Sequence, residues 1–363
     1  MKGYKALNMD MSSAYSNMSY EIGKKYTITG ELKMCENGFH FCKYLEDIEN
    51  HYPITKSRIF EVETEGEIID RNIKFCAESI TLMRELSKEE IHQYFEDNQE
   101  RILKENWLCR KALADQGLCL DKLIYDEDLD VRRAVARQRY GLHVLIHDKN
   151  PWVRAMVAEQ GYGLETLIND ENPYVRTAVA RQSYGLKTLI KDGNSAVREE
   201  VAAQGYGLYV LIEDESPVIR EVVARQGYGL DILIYDKNWC VRRAVAEQGY
   251  GFDILIHDED WHVRIVVAEQ NYGFDILIHD EDWRVRKTVA KQGYGLDILI
   301  HDKDWYVRKV VAEQGYGLDV LINDKNWCVR KVVAEQGYGL DILVNDEDCD
   351  VRRIAKQKME ALR

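Results

Sequence analysis

An α-solenoid of twelve 22-residue two-helix repeats over residues 106–363, preceded by a small α+β domain, is the fold this sequence predicts. The first observation is an unbroken period. Stepping by 22, arginine recurs from Arg110 to Arg352, aspartate from Asp126 to Asp346 and glutamine from Gln116 to Gln336, with no insertion. The second is that each period holds one helical apolar face, a glycine turn and a second, shorter apolar face. The third is size: a unit this small cannot bury its apolar sides alone, so neighbours must stack.

One unit, beginning at Asn238, shows the local logic. Asn, Asp or Ser stands at this position in every unit, from Asn106 and Asp128 to Ser216 and Asp348. These residue types cap helix N-termini, because a short side-chain oxygen accepts from an orphan N–H of the first turn. The next position is proline at Pro151, Pro173 and Pro217, where the missing N–H costs nothing. Val241, Ala244, Val245 and Gln248 then share one face of a helix of about ten residues. Gly249-Tyr250-Gly251 ends it, since glycine accepts the left-handed backbone of a helix C-cap. Phe252, Leu255 and Ile256 give a second face, short enough for a few-residue α or 3₁₀ turn ending at Asp258.

The repeated Arg and Asp predict a structural ladder: Arg176, Arg198, Arg220, Arg242 and Arg264 with Asp170, Asp192, Asp214, Asp236 and Asp258. A catalytic group is needed once, whereas a ladder is needed at every interface. Each guanidinium can reach an Asp or a helix-end carbonyl of a neighbour in a charge-assisted bond. Binding information belongs at other columns. Trp239, Trp261, Trp283, Trp305 and Trp327 form an aromatic column that serves inter-repeat packing or a partner. Asp231, Asp253, Asp275, Asp297, Asp319 and Asp341 line up at the start of the short helices; they support the helix dipole and also make an acidic track. Arg243, Lys287, Lys309, Lys331 and Arg353 form a basic column, and His257, His279 and His301 a short histidine column that reads as a surface ladder.

The pattern VRxxVAxQGYGLDxLIxD, over residues 106 to about 352, resembles the leucine-rich repeat variant and, more broadly, HEAT repeats. That resemblance implies a right-handed superhelix of alternating α and 3₁₀ helices. The period is slightly shorter than that family's unit, and Gly-Tyr-Gly stands where it has a Pro-containing turn. Its amino-terminal iron–sulfur cluster is not carried over, because no matching run of four cysteines is present.

Residues 1–86 lack the period. Alternation predicts strands at Tyr20–Ile28, Glu31–Cys35, Arg58–Glu63 and Ile80–Leu86, with a helix near Tyr44–His51. Ser87-Lys88-Glu89-Glu90 predicts a capping box opening a helix to about Phe95, and a further helix spans about Asn98–Lys104. Residues 87–105 are thus a helical connector and cap for the 106–363 array, which closes on a C-terminal capping helix. Tyr20-Glu21-Ile22-Gly23-Lys24, Cys35 through Cys42 and Phe60-Glu61-Val62-Glu63 resemble an uncharacterised domain of phage and prophage proteins. This implies a viral or prophage accessory context and no activity. Cys35, His40, Cys42 and Cys76 are a conceivable zinc set, but their spacing matches no standard finger, and the expectation is no metal and no cofactor. Gly38-Phe39-His40-Phe41-Cys42 followed by Leu45–Tyr52 resembles a strand–helix segment of ADP-ribosyltransferases, without an assignable nicotinamide-clamping Arg or catalytic Glu.

The formal charge of −14 argues against direct DNA or RNA binding, which normally needs a basic surface. No stretch of 18 apolar residues and no signal-peptide core occurs, so no membrane association and a cytoplasmic location are expected, with the eight cysteines reduced. The expected function is a non-enzymatic scaffold for a protein partner, in the phage context a host protein such as a defence component. The alternatives are an acidic nucleic-acid mimic and a transferase in residues 1–86. Oligomeric state is left open.

Overall fold

The computed structural model describes residues 1–13 and 18–361. The chain divides into two compact units, Met1–Gly185 and Leu186–Arg363, and the division falls within the repeats.

The first unit opens with an antiparallel sheet of β1 (Lys2–Leu7), β2 (Lys25–Thr27), β3 (Phe39–Phe41), β4 (Arg58–Asp70) and β5 (Phe75–Glu85). The order is β1-β4-β5-β2, and β3 also pairs with β5. β2 and β3 share one edge of β5, against residues 79–81 and 75–77 respectively. Leu7, Phe39, Phe41, Phe60, Phe75, Ile80 and Leu82 pack into the core on this sheet. Three expectations change here. Of the strand expected over Tyr20–Ile28 only Lys25–Thr27 forms, because the chain turns just before it, with the Lys24 N–H on the Glu21 carbonyl at 3.3 Å. Residues 31–35 form no strand: the Asn37 amide donates to the carbonyls of Thr29 and Glu31, 3.1 and 3.0 Å away, and holds the segment in turns. Near Tyr44–His51 the helix is a 3₁₀ helix, Glu46–Asn50.

Helix α1 (Lys88–Ile102) starts at the capping box, with Ser87 Oγ accepting from the Glu90 N–H and Glu90 from the Ser87 N–H. It is one helix rather than the two expected, because the Asn98 side chain turns back to the Tyr94 carbonyl at 2.8 Å and leaves the backbone helical. Glu46 ties the 3₁₀ helix to α1 by accepting from the Tyr94 hydroxyl at 2.9 Å and pairing with Arg101. Glu49 ties it to the first repeat through Lys111 at 2.9 Å.

The repeats form an α-solenoid. In the first unit, the long helices Trp107–Asp115, Leu129–Arg137, Pro151–Glu159 and Pro173–Arg181 pack in succession. In the second, those from Ser195–Ala203 to Cys349–Ala361 do the same. Four-residue α-helices such as Phe252–Leu255 alternate with them. The long helices begin on side-chain caps, Asn238 accepting from the Cys240 N–H at 2.9 Å, for example. Ser216 is an exception, with no side-chain cap bond. No helix among the described residues is long and apolar enough to cross a membrane.

Candidate binding surface

Between the two ends of the array, the arginines of the long helices each hold two aspartates, one at its carboxylate and one at its carbonyl, as Arg132 does with Asp148 and Asp126. Arg242 donates from Nε and Nη2 to the Asp258 carboxylate at 2.6 and 2.8 Å, and from Nη1 to the Asp236 carbonyl at 2.7 Å. Asp258 in turn offers its carbonyl to Arg264 at 2.6 Å, so each aspartate links successive arginines. Arg198 with Asp214 and Arg220 with Asp236 repeat the geometry. Asp170 receives Arg154 at its carboxylate and Arg176 at its carbonyl. The Asp192 carbonyl accepts from Arg198 at 2.8 Å. These pairs are nearly enclosed, Arg242 and Asp258 side chains being 9% and 4% exposed. The hydrogen bond to Asp258 raises the Arg242 pKa despite burial. Burial pushes the Asp236 carboxyl up, yet the Arg220 hydrogen bond, the Asn238 N–H and the guanidinium charge together hold it below its ordinary value.

The tryptophan column is interleaved. His262 stacks on both Trp239 and Trp261, at centroid distances of 4.3 and 3.5 Å. Arg284 lies 4.5 Å over Trp261 and 4.9 Å over Trp283. Tyr306 stacks between Trp283 and Trp305 at 4.8 and 3.7 Å. The residues after Trp261, Trp283 and Trp305 thus reach back to the preceding ring, giving a ribbon of π and cation–π contacts from Trp239 to Trp305. Trp239, Trp261, Trp283 and Trp305 are half-buried in it, and Trp327 is exposed.

The acidic column is different. Asp231, Asp253, Asp275, Asp297, Asp319 and Asp341 are all exposed. Among the described residues, none of their carboxylates makes a hydrogen bond or ion pair, while the basic column is engaged. Arg243 pairs with Glu247, Lys309 with Glu313 and Lys331 with Glu335, each at i,i+4. Lys287 sits over Trp283, and Arg353 pairs with Asp350. Next to the free acids stands a column that the periodicity did not single out. Ile232, Ile254, Ile276, Ile298, Val320 and Ile342 are 40% to 60% exposed. The signal was present: in a four-residue helix whose first and last residues, Leu or Phe and then Leu, turn toward the core, the Ile or Val in third place is turned away from them. Tyr228, Tyr250 and their counterparts to Tyr338 add a second exposed apolar position per unit.

His257, His279 and His301 are exposed at the ends of their short helices. In the sheet domain, His40 Nε2 accepts from the Cys35 N–H at 3.1 Å. Cys42 is buried, its backbone paired with Tyr4, and Cys76 is buried beneath Gly38, where a Cβ would collide with its sulfur. Asp348, Cys349 and Asp350 are the one set of three such ligand atoms within 4.8 Å of one another among the described residues.

Residues 1–94 match a family described as a domain of unknown function, DUF7666. No curated protein matches the chain. Among solved structures, an engineered protein is similar at 18% identity, covering 69% of this chain and 98% of its own, with a TM-score of 0.11. A designed armadillo repeat protein in complex with the peptide (KR)4 is similar at 14% identity over 76% of this chain and 95% of its own, with a TM-score of 0.09.

Proposed function

We propose that this protein is a non-enzymatic scaffold that holds a basic, aliphatic protein segment along the short-helix edge of residues 228–342. The observation that carries this reading is the pairing of two columns: six exposed carboxylates without partners beside six exposed aliphatic side chains. Helix support explains an acid at each site but not an Ile or Val beside it in every unit. Exposed apolar groups in register mark contact surfaces. Free carboxylates set the sign of the partner and steer its approach. A rigid basic groove, as a nucleic-acid mimic would fill, calls for the acids alone; the aliphatic column favours a flexible peptide segment instead. The tryptophan ribbon, already stacked on its own neighbours, stiffens the opposing helices in this reading. A host protein as the partner rests on the resemblance of residues 2–86 to phage and prophage domains.

Selection of linear peptides from a random display library on the full chain tests this reading. The expected winners combine Lys or Arg with aliphatic residues, and they lose binding when the six aspartates from Asp231 to Asp341 are changed to asparagine. Acidic winners, or binding indifferent to the six changes, would overturn it.

A further inference from the structure

A cavity of about 200 Å³ opens in the sheet domain, far from the columns in sequence and independent of them. It is larger than the ~150 Å³ apolar cavity that accommodates benzene. Tyr20, Phe41 and Ile48 line part of it. Lys5, His40, His51 and Lys74 are the basic side chains on its wall, and the one acid there among the described residues, Glu36, is solvent-exposed.

Lys5 is the anomaly. Strand alternation puts it on the same face of β1 as the core residue Leu7, and it is only 7% exposed. Its Nζ donates one hydrogen bond, 2.8 Å to the His40 carbonyl, and lies 5.1 Å from the centre of the Tyr20 ring. An ammonium carries three donors, and a buried charge is normally paired. Among the described residues no carboxylate pairs with this one. His51 Nε2 is likewise buried with no hydrogen-bond partner. The other imidazole is already committed, since His40 Nε2 accepts from the Cys35 N–H. Unspent buried donors in a cavity with an aromatic wall are the arrangement of a pre-formed ligand site.

We propose that this cavity binds a small organic anion, a carboxylate or phosphate on an apolar or aromatic body, with its charged end held by Lys5 and by His51 in the Nε2–H tautomer. The assignment is separate from the scaffold function and stands or falls without it.

The pH dependence follows from the groups around Lys5. Burial, with the nearby Lys74 charge, pushes the Lys5 pKa down to about 8, against the influence of the Cys42 and Cys76 thiols. Burial likewise lowers His40 to about 4 and lowers His51, so both rings are neutral near pH 8. Cys42 is pushed up to about 12 and Cys76 is raised, so these thiols keep their protons there. The remaining titratable residues on the wall are Tyr4, Tyr20, Tyr52, Cys35, Glu36 and Lys74. A bound anion holds the Lys5 proton in place, so affinity falls as pH rises through the free-state value of about 8.

Calorimetric titration of the full chain with benzoate and with phenyl phosphate, with uncharged benzamide as control, tests the site. At about pH 7, at least one anion is expected to bind saturably and benzamide not at all, with affinity dropping about tenfold per pH unit above ~8. Binding by one anion and not the other identifies the headgroup. Lys5→Met is expected to weaken binding at least tenfold, with a melting temperature unchanged or raised, because a buried unpaired ammonium is removed. Should that variant fail to fold, the wild-type pH profile carries the test alone. Saturable binding by neither anion, equal binding of benzamide, or a pH-independent affinity would overturn the assignment.

Discussion

Each repeat is fixed by a few side chains whose roles differ despite equal regularity. Asp253 and Asp258 are both acids in one unit, five positions apart. The first is exposed and unpaired, whereas the second accepts two guanidinium hydrogen bonds and one from the Asp260 N–H at 2.9 Å. Asp258→Ala leaves the enclosed Arg242 only the exposed Glu259 carboxylate, 3.2 Å from Nη2, and an expected loss of about 3 kcal/mol follows, read from chemical denaturation. Asp253→Asn is expected to leave stability unchanged within ~0.5 kcal/mol. The arginine and aspartate positions were legible from their period, and so was the kind of bond they could make; which aspartates lie free was not, because exposure depends on how units stack. Glycine shows the same limit. The first glycine of the turn is Arg139, Ser183 or Asn271 in three units, all with left-handed backbone, because open space surrounds it. The second, such as Gly251, is held in a left-handed conformation where a Cβ would also collide with the δ-carbon of Ile234. Sequence marks both as turn glycines; packing separates them.

Elements were most legible where local rules and stacking agree. The long helices carry cap, apolar face and glycine stop in the same order, and they form where that order places them. The cap bond itself varies: the Asn238 side chain accepts from the Cys240 N–H, while that of Ser216 makes no such bond ahead of Pro217. Asn238→Ala is therefore expected to cost about 1 kcal/mol and Ser216→Ala close to none, in paired thermal melts. The sheet domain was less legible for physical reasons. β1 puts Gly3 and Lys5 on the face that also carries Leu7, which breaks the apolar alternation that signals a strand. β3 has three residues, too few to show a period. Those two strands border the cavity, so the groups that define it went unread as a set. Lys5 in particular looks like a surface residue until its strand is placed.

At the scale of the molecule, function follows from where charge is left unspent. The formal charge is −14, but most acids in the repeats are absorbed by ladders, caps and i,i+4 pairs. The column from Asp231 to Asp341 is the regular exception, and the aliphatic column beside it gives a partner something to bury. Sequence periodicity exposed the acidic column, while the aliphatic one emerged only once the short helices were seen to turn those residues outward. In the proposed reading the two columns together make the short-helix edge, rather than the self-stacked tryptophan ribbon, the contact surface. Amide hydrogen exchange of the full chain, with and without a library-selected basic peptide, distinguishes the two edges directly. Protection concentrated at Leu230–Leu233, Phe252–Leu255, Phe274–Leu277 and Leu296–Leu299 is the expected result. Protection confined to the starts of the long helices around Trp239, Trp261, Trp283 and Trp305 would contradict it.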